Sequence, residues 1–373
     1  MRIGVDASRA NTQHRTGVEW YAYHLLREFA QLPESARHTW MTYAPQPLMP
    51  DLARVLQDWD QQTLAWPPKY GWTQFRLSFE MSQRPPELLF IPAHTLPRIL
   101  PKKTVVTVHD VAFRRHPELY PTHQVAWHEI TTRDIAQSTA HLLTVSAFCK
   151  QELQELYRIP EDRITVTPLG VDASYVPASM AEQERARTAH GLGSAPFFLY
   201  VGRLEKKKNT QRLVEAFLLL AEQEAESLCV FVGDPGFGWN EIRSLIDRHP
   251  QGHRVRVLGY VSEAEKRALL SAAQAYVQPS LYEGFGLPVL EAMACGTLVV
   301  SSLAGSLREV GAGGGAFFVD PHSAESIAAG MAEIQRLSEA DRSPLVARGK
   351  AHASSFTWHE TAKKTLAAFE RYV

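Results

Sequence analysis

Phe197-Phe198-Leu199-Tyr200-Val201-Gly202-Arg203-Leu204-Glu205-Lys206-Lys207-Lys208-Asn209 reads as a strand that ends in a turn. The five residues before Gly202 are aromatic or aliphatic, a short buried strand, and residues 210–223 follow with helical spacing. A glycine at the strand end lets the backbone turn tightly, and the start of the next helix offers unpaired N–H groups to an anion. Arg203 supplies a planar fork for phosphate oxygens and Lys208 a mobile point charge. Lys206 and Lys207 read as a solvated charge run.

The same strand–turn–helix pattern recurs on both sides, the signature of a parallel-sheet α/β architecture. Before it, residues 2–5, 88–91, 104–108, 141–145 and 164–167 are expected strands. Residues 18–29 and 147–157 are expected helices, the second capped by Ser146. After it come expected strands 228–232, 255–258, 275–278, 298–301 and 316–319, with helices 240–247, 263–272 and 288–294 between them. Residues 176–195 are polar, end in a Gly/Pro-rich run and suit a linker. The expected layout is a first domain over residues 1–185 and a second over 186–355. A helix over 356–373 should return to the first. In two doubly wound units, ligand-binding residues should lie just after strands.

Bulk properties agree with a two-domain globular protein: 373 residues, 45% apolar and 21% charged. A net charge of −1 argues against a general nucleic-acid binder. Cys149, Cys229 and Cys295 have neither metal-ligand nor disulfide spacing, which fits a reducing compartment. No secretory leader and no bilayer-spanning apolar run is apparent, so the expectation is a cytoplasmic protein, with peripheral membrane contact left open.

A second motif, Tyr282-Glu283-Gly284-Phe285-Gly286-Leu287-Pro288-Val289-Leu290-Glu291, follows the expected strand 275–278. Its glycines bring main chain close to a ligand, and Pro288 fits the first position of a helix. N–H groups near Gly286 and Leu287 can bond sugar hydroxyls or phosphate. Glu291 is expected in the first helical turn, where its carboxylate could accept both hydrogen bonds of a ribose diol. The blander reading makes Glu291 a dipole partner and Glu283 a surface charge.

Together these motifs resemble those of the family 4 (group 1) retaining glycosyltransferases. Thr167-Pro168-Leu169-Gly170-Val171-Asp172 and Val145-Ser146-Ala147-Phe148 resemble further segments of that family. The likeness covers nearly all of the second domain and about half of the first. It implies a GT-B fold, two Rossmann-like doubly wound domains facing a central cleft. By resemblance, Arg203 and Lys208 bind the donor diphosphate beside Gly202, Glu283 contacts donor-sugar hydroxyls and Glu291 the ribose. Main-chain amides at Phe285, Gly286 and Leu287 lie near the sugar, and Tyr260 and Val261 meet the nucleobase.

In the first domain, Thr107-Val108-His109-Asp110 ends a strand. On pattern alone a structural role for His109 has even standing; by resemblance it faces the donor sugar near the reacting carbon. Asp110 can simply cap the next turn. Gly17, in Arg15-Thr16-Gly17-Val18-Glu19, resembles the family's early glycine-rich loop, reduced to one glycine; it is expected to bring backbone toward the donor phosphate or the acceptor and is counted with the donor-binding residues. Arg114, Arg115, His116 and Tyr120 are acceptor-loop candidates. From Trp66 to His116 there are eight Lys/Arg against three Asp/Glu, with Trp66, Tyr70, Trp72 and Phe75 interleaved near the start. That stretch is either an ordinary surface or a face for an anionic, lipid-linked acceptor.

The resemblance implies that a nucleotide-diphosphate sugar gives up a hexose, with mannose the sugar favoured, to a glycan or lipid-linked saccharide. The path is metal-independent and needs no cofactor, the departing phosphate helping to deprotonate the acceptor. Domain closure joins His109 to Glu283 and excludes water. The alternatives are a nucleotide-sugar epimerase of the same fold and a non-catalytic nucleotide-sugar-binding scaffold. A glycoside hydrolase needs two carboxylates but not the basic motif.

Overall fold

The computed structural model describes residues 1–68, 70–223 and 226–372. The chain divides into two compact units. One comprises Met1–Arg115, Thr122–Gly170 and the C-terminal segment from Thr357; the other comprises Val171–Phe356 with the short excursion His116–Pro121.

The first unit is a seven-stranded sheet of β1 (Arg2–Asp6), β2 (Thr39–Ala44), β3 (Asp60–Thr63), β4 (Leu88–Ile91), β5 (Thr104–Val108), β6 (His141–Thr144) and β7 (Ile164–Val166). Its order is β3-β2-β1-β4-β5-β6-β7, with every pairing parallel. Helices cover both faces of such a sheet, so its inner strands are apolar throughout rather than alternating. All residues of β4, β5 and β6 are accordingly buried. The edge strand β3, Asp-Gln-Gln-Thr, has no buried residue and lacks an apolar signal, and β2, Thr-Trp-Met-Thr-Tyr-Ala, was likewise not among the expected strands.

The second unit is a six-stranded parallel sheet of β8 (Phe197–Val201), β9 (Leu228–Val232), β10 (Val255–Gly259), β11 (Ala275–Gln278), β12 (Val299–Ser302) and β13 (Phe317–Val319). The order is β10-β9-β8-β11-β12-β13, which reverses between β8 and β11. Phe198, Tyr200, Phe217, Phe231 and Met331 centre its core, each at most 1% exposed.

The expected linker is not one. Residues Met180–Ala189 form a helix whose Ser179 and Glu182 make a reciprocal capping box. Glu182 pairs with Arg267, and Arg187 donates to the carbonyls of Gly193, Ala195 and Ala272, tying the helix into the second unit. The helix buries only Ala186, so its polar composition resembles that of a connector. The expected boundary at residue 185 falls inside it, whereas the second unit begins at Val171.

The C-terminal helix Trp358–Tyr372 belongs to the first unit. Phe369 packs at 5.0 Å from Phe90 and 5.9 Å from Phe29, and Trp358 stacks on His24 at 4.7 Å. Gly170 makes this docking close: a Cβ there would lie 2.0 Å from the Trp358 nitrogen. Gly170→Ala should therefore destabilise the protein by about 3 kcal/mol, read as a lower urea midpoint. Gly17→Ala is the control: a Cβ at Gly17 meets nothing within 4 Å, and alanine favours a helix by about 1 kcal/mol over glycine.

Candidate active site

A doubly wound sheet opens a crevice where its strand order reverses, at the carboxyl ends of the two strands concerned. In the second unit these are β8 and β11, and the two motifs are their outgoing loops. Asn209 latches the loops together. Its backbone is left-handed (φ 57°), a conformation asparagine tolerates, and its Nδ2 donates to the carbonyls of Pro279 at 3.0 Å and Pro321 at 2.7 Å. The Leu281 amide donates to the Lys207 carbonyl at 3.0 Å.

That latch brings Lys208 and Glu283 together. Lys208 Nζ lies 2.7 Å from each carboxylate oxygen of Glu283. Glu283 is 5% exposed, so it is not a surface charge. Its Oε1 also accepts from Gln278 Nε2 and Ser280 Oγ, both at 2.7 Å, and the Tyr276 hydroxyl orients Gln278 from behind at 2.6 Å. Burial pushes the Glu283 pKa up, but Lys208, Lys207 and these hydrogen bonds outweigh it. The net direction is below the ordinary glutamate value, and the side chain is ionised.

The main chain of Glu283 is held by residues that motif reading missed. Ser306 donates through its amide and its hydroxyl to the Glu283 carbonyl, each at 3.1 Å, and through the hydroxyl to Phe285 O at 2.9 Å. Gly305 is left-handed (φ 64°), and a Cβ there would sit 2.3 Å from Glu283 O. The small pair Gly305-Ser306 soon after β12 was the available signal.

Gly286 is left-handed as well (φ 96°) and precedes the helix Leu287–Ala294. The helix begins at Leu287, so Pro288 takes its second position rather than its first. Glu291 consequently lies beyond the first turn, which corrects the expected dipole placement. It is 7% exposed and turned toward Lys266, whose Nζ lies 3.3 Å from Oε2 and 2.9 Å from Glu263. Tyr175 donates to Glu263 at 2.5 Å, and its ring centre is 5.0 Å from Lys266 Nζ. One cation thus serves two carboxylates. Burial raises the Glu291 pKa above its ordinary value, Lys266 opposing and Glu263 adding to the rise. Among the described residues, the amides of Phe285, Gly286 and Leu287 donate to no protein acceptor, leaving three consecutive N–H groups for a ligand.

Gly202 is at φ 144°; its amide donates to Val232 O and its carbonyl lies against Gly233 closely enough to exclude a side chain there. Arg203 is exposed, and among the described residues its side chain makes no ion pair. Lys206 reaches Glu241 at 3.9 Å, as a surface lysine does. Lys207 differs from the solvated reading: its Nζ lies 5.4 Å from the Tyr120 ring centre. Tyr120 and His116 belong to the second unit's short excursion, with the His116 ring 6.0 Å from Tyr282, next to Glu283. After β10, Tyr260 is about half exposed and Val261 is buried.

In the first unit, His109 ends β5 beside Tyr21, ring centres 4.7 Å apart. Its Nε2 lies 3.1 Å from the Pro92 carbonyl, which can only accept, so Nε2 carries the proton. Burial lowers the His109 pKa, which makes the ring neutral and leaves Nδ1 as a lone-pair acceptor. His94, which the sequence reading did not single out, repeats the arrangement. Thr132 donates its proton to His128 O at 2.7 Å, so His94 Nε2 must donate to Thr132 Oγ1, also at 2.7 Å. Burial pushes the His94 pKa down to about 3. Asp110 accepts from the Ala112 amide at 3.1 Å, the turn-capping contact foreseen as its alternative. Gly17 starts the helix Gly17–Gln31, capped by Thr16 and Glu19, with no close approach to its Cα. Arg115 is committed to Glu152 and Glu155, and Arg114 faces Glu129, which removes Arg115 as an available acceptor contact.

Residues 15–175 match the model of Glycosyltransferase Family 4 and residues 182–350 that of Glycosyl transferases group 1. O-antigen chain mannosyltransferase B of Escherichia coli is 34% identical over 271 residues, 72% of this chain and 70% of that protein. The chain belongs to the group 1, family 4 glycosyltransferases. Its fold is that of WaaG, a glycosyltransferase involved in lipopolysaccharide biosynthesis (TM-score 0.76, 15% identity, 99% of each chain). Anabaena HepE, solved with UDP and glucose, is similar to the same degree (TM-score 0.75, 17% identity, 99% of each chain). These neighbours have the GT-B fold, and this family 4 glycosyltransferase is a sugar-transferring enzyme with that fold. No helix among its described residues is long and apolar enough to cross a membrane.

Proposed function

We propose that the enzyme transfers mannose, with retention of configuration and without a metal ion, from a nucleoside-diphosphate donor to a hydroxyl of a glycan on a lipid carrier. The observation that carries this reading is the Lys208–Glu283 pair, buried at the strand-order reversal with an uncommitted Arg203 in the same loop. Lys208 and Arg203 offset the charge that grows on the leaving diphosphate. Glu283 stays ionised and accepts from a donor-sugar hydroxyl, while the free amides of Phe285, Gly286 and Leu287 donate to the sugar or the phosphate. Glu291 takes the ribose diol, and Tyr260 and Val261 flank the base. His109 accepts a sugar hydroxyl at Nδ1. As the C1–oxygen bond to the diphosphate breaks, the diphosphate leaves with the electron pair. The acceptor oxygen bonds to C1 on the face just vacated, and its proton passes to the departing phosphate.

The mannosyltransferase relative motivates the choice of sugar. An epimerase reading would need no acceptor, and a scaffold reading would need no turnover. Calorimetry with GDP, UDP, ADP and their sugar conjugates, in EDTA and then in Mg²⁺, tests the proposal. GDP and GDP-mannose should bind in EDTA, and a product formed with acceptor should show the donor's anomeric configuration by NMR. Absence of binding by every nucleotide would overturn the reading. An epimerised nucleotide sugar formed without acceptor would favour the epimerase.

A further inference from the structure

Two buried polar side chains behind Glu283 take no part in the transfer steps themselves. Strand β11 is buried along its whole length. Ala275 and Val277 join the apolar core of the second unit, and strand alternation puts Tyr276 and Gln278 together on the other face. Both are at most 2% exposed, where an inner parallel strand ordinarily carries apolar side chains. A glutamine buried there costs stability unless its amide is bonded.

Its bonds leave the amide one orientation. Gln278 Nε2 donates to Glu283 at 2.7 Å, and its own Oε1 accepts from the Tyr276 hydroxyl at 2.6 Å. Ionised Glu283 can only accept, so a flipped amide would set two oxygens against each other. The Tyr276 hydroxyl stays protonated, because burial and the charge on Glu283 hold its pKa well above the ordinary value. Its other acceptor, the Val201 carbonyl, is 3.4 Å away, so the proton is committed to Gln278.

The two oxygens of the Glu283 carboxylate are therefore unlike. Oε1 takes three donors, each at 2.7 Å: Lys208 Nζ, Gln278 Nε2 and Ser280 Oγ. A carboxylate oxygen has about two lone-pair sites, so Oε1 is saturated. Among the described residues, Oε2 accepts from Lys208 alone. The acceptor capacity that remains is on Oε2.

We propose that Tyr276 and Gln278 are positioning residues for the transfer. Tyr276 fixes the flip of the amide, and Gln278 with Ser280 pins Oε1, so that Oε2 alone is presented to a donor-sugar hydroxyl. The inference rests on the assignment of Glu283 to the donor sugar, and adds the residues that select which oxygen receives the hydroxyl.

Steady-state kinetics of Tyr276→Phe, Gln278→Met and the double variant decide it, with the GDP, UDP or ADP sugar that the wild type turns over. Each single variant should lower kcat/KM for the donor by about tenfold. The double variant should be no worse than Gln278→Met, because the hydroxyl acts only through the amide. Affinity for the free nucleoside diphosphate should stay within about twofold of wild type by calorimetry, since neither residue meets the diphosphate. The acidic limb of the kcat/KM profile should move to higher pH in every variant, because a hydrogen bond favouring charged Glu283 is weakened or lost. A mere packing defect would leave that limb in place. Wild-type kcat/KM in Tyr276→Phe, or a loss that repeats in full in the Gln278→Met background, overturns the inference and leaves the donor assignment standing. Failure of the wild type to bind any of these nucleotides overturns the donor assignment, and the inference falls with it.

Discussion

Lys208→Met is expected to lower kcat for transfer by on the order of 10³-fold, the scale of removing one preorganised charge from a developing oxyanion. The loss should be larger than that of a diphosphate contact alone, because Lys208 also keeps Glu283 ionised. Without the lysine, burial is the main influence left on that carboxylate, and it pushes the pKa up. Glu283→Gln asks the converse question. It retains an acceptor oxygen for Gln278 and Ser280 but leaves Lys208 without its carboxylate partner. Removing one member of a buried pair costs about 3–5 kcal/mol, so Glu283→Gln should melt earlier as well as turn over more slowly.

The pH dependence has a definite sign. The folded pKa of Glu283 lies below the ordinary value, so the stability it contributes is complete above about pH 4.5 and is lost as pH falls through the folded pKa. In Lys208→Met that loss should begin at higher pH. Steady-state kinetics and melting curves between pH 4 and 8 check both effects. Wild-type turnover by Lys208→Met would remove the pair from the mechanism.

Lys266→Met should leave kcat within about threefold but raise the donor KM by roughly 10–100-fold, the worth of about 1.4–2.8 kcal/mol in holding a charged hydrogen-bonding group. The position does not face a phosphate motif; it neutralises Glu291 and Glu263 together. Because the Glu291 pKa is already raised, nucleotide affinity in the wild type should weaken on acidification above the usual glutamate range. In Lys266→Met the weakening should begin at still higher pH. Lys266→Arg, which keeps the charge, should recover most of the affinity. Calorimetry of nucleoside diphosphate binding across pH 5–8 separates this from a general packing defect, which would lower affinity equally at every pH.

The loops were legible in the sequence because their chemistry is local. Gly202, Gly286 and the residues around them stand at strand ends, and an apolar run followed by glycine is visible without a structure. Inner strands β1, β4, β5 and β6 were legible for the same reason, since a parallel strand buried on both faces is a largely apolar run. Inner strand β2, Thr-Trp-Met-Thr-Tyr-Ala, was missed, its threonines interrupting that run, and edge strand β3 was missed because no buried residue advertises it. Helix Met180–Ala189 was misread because it buries a single alanine, although Ser179 and Glu182 announce its start. The partnerships were out of reach altogether. Lys208 meets Glu283 across 75 positions and Lys266 meets Glu291 across 25, and no spacing rule connects them. One consequence is that Lys208 and Glu283, assigned separately to phosphate and sugar, form a single ion pair.

The placement of helix Trp358–Tyr372 in the first unit bears on how the polypeptide is made. During synthesis the strands of that unit leave the ribosome before the second unit, yet Phe29 and Phe90 lack Phe369 until the whole second unit has been made. Apart from its short excursion, the second unit is complete in sequence by Phe356 and can close first. A stop codon shortly before Trp358 would therefore spare the second unit and leave the first with an uncovered aromatic core, a target for chaperones and proteases rather than a shortened enzyme.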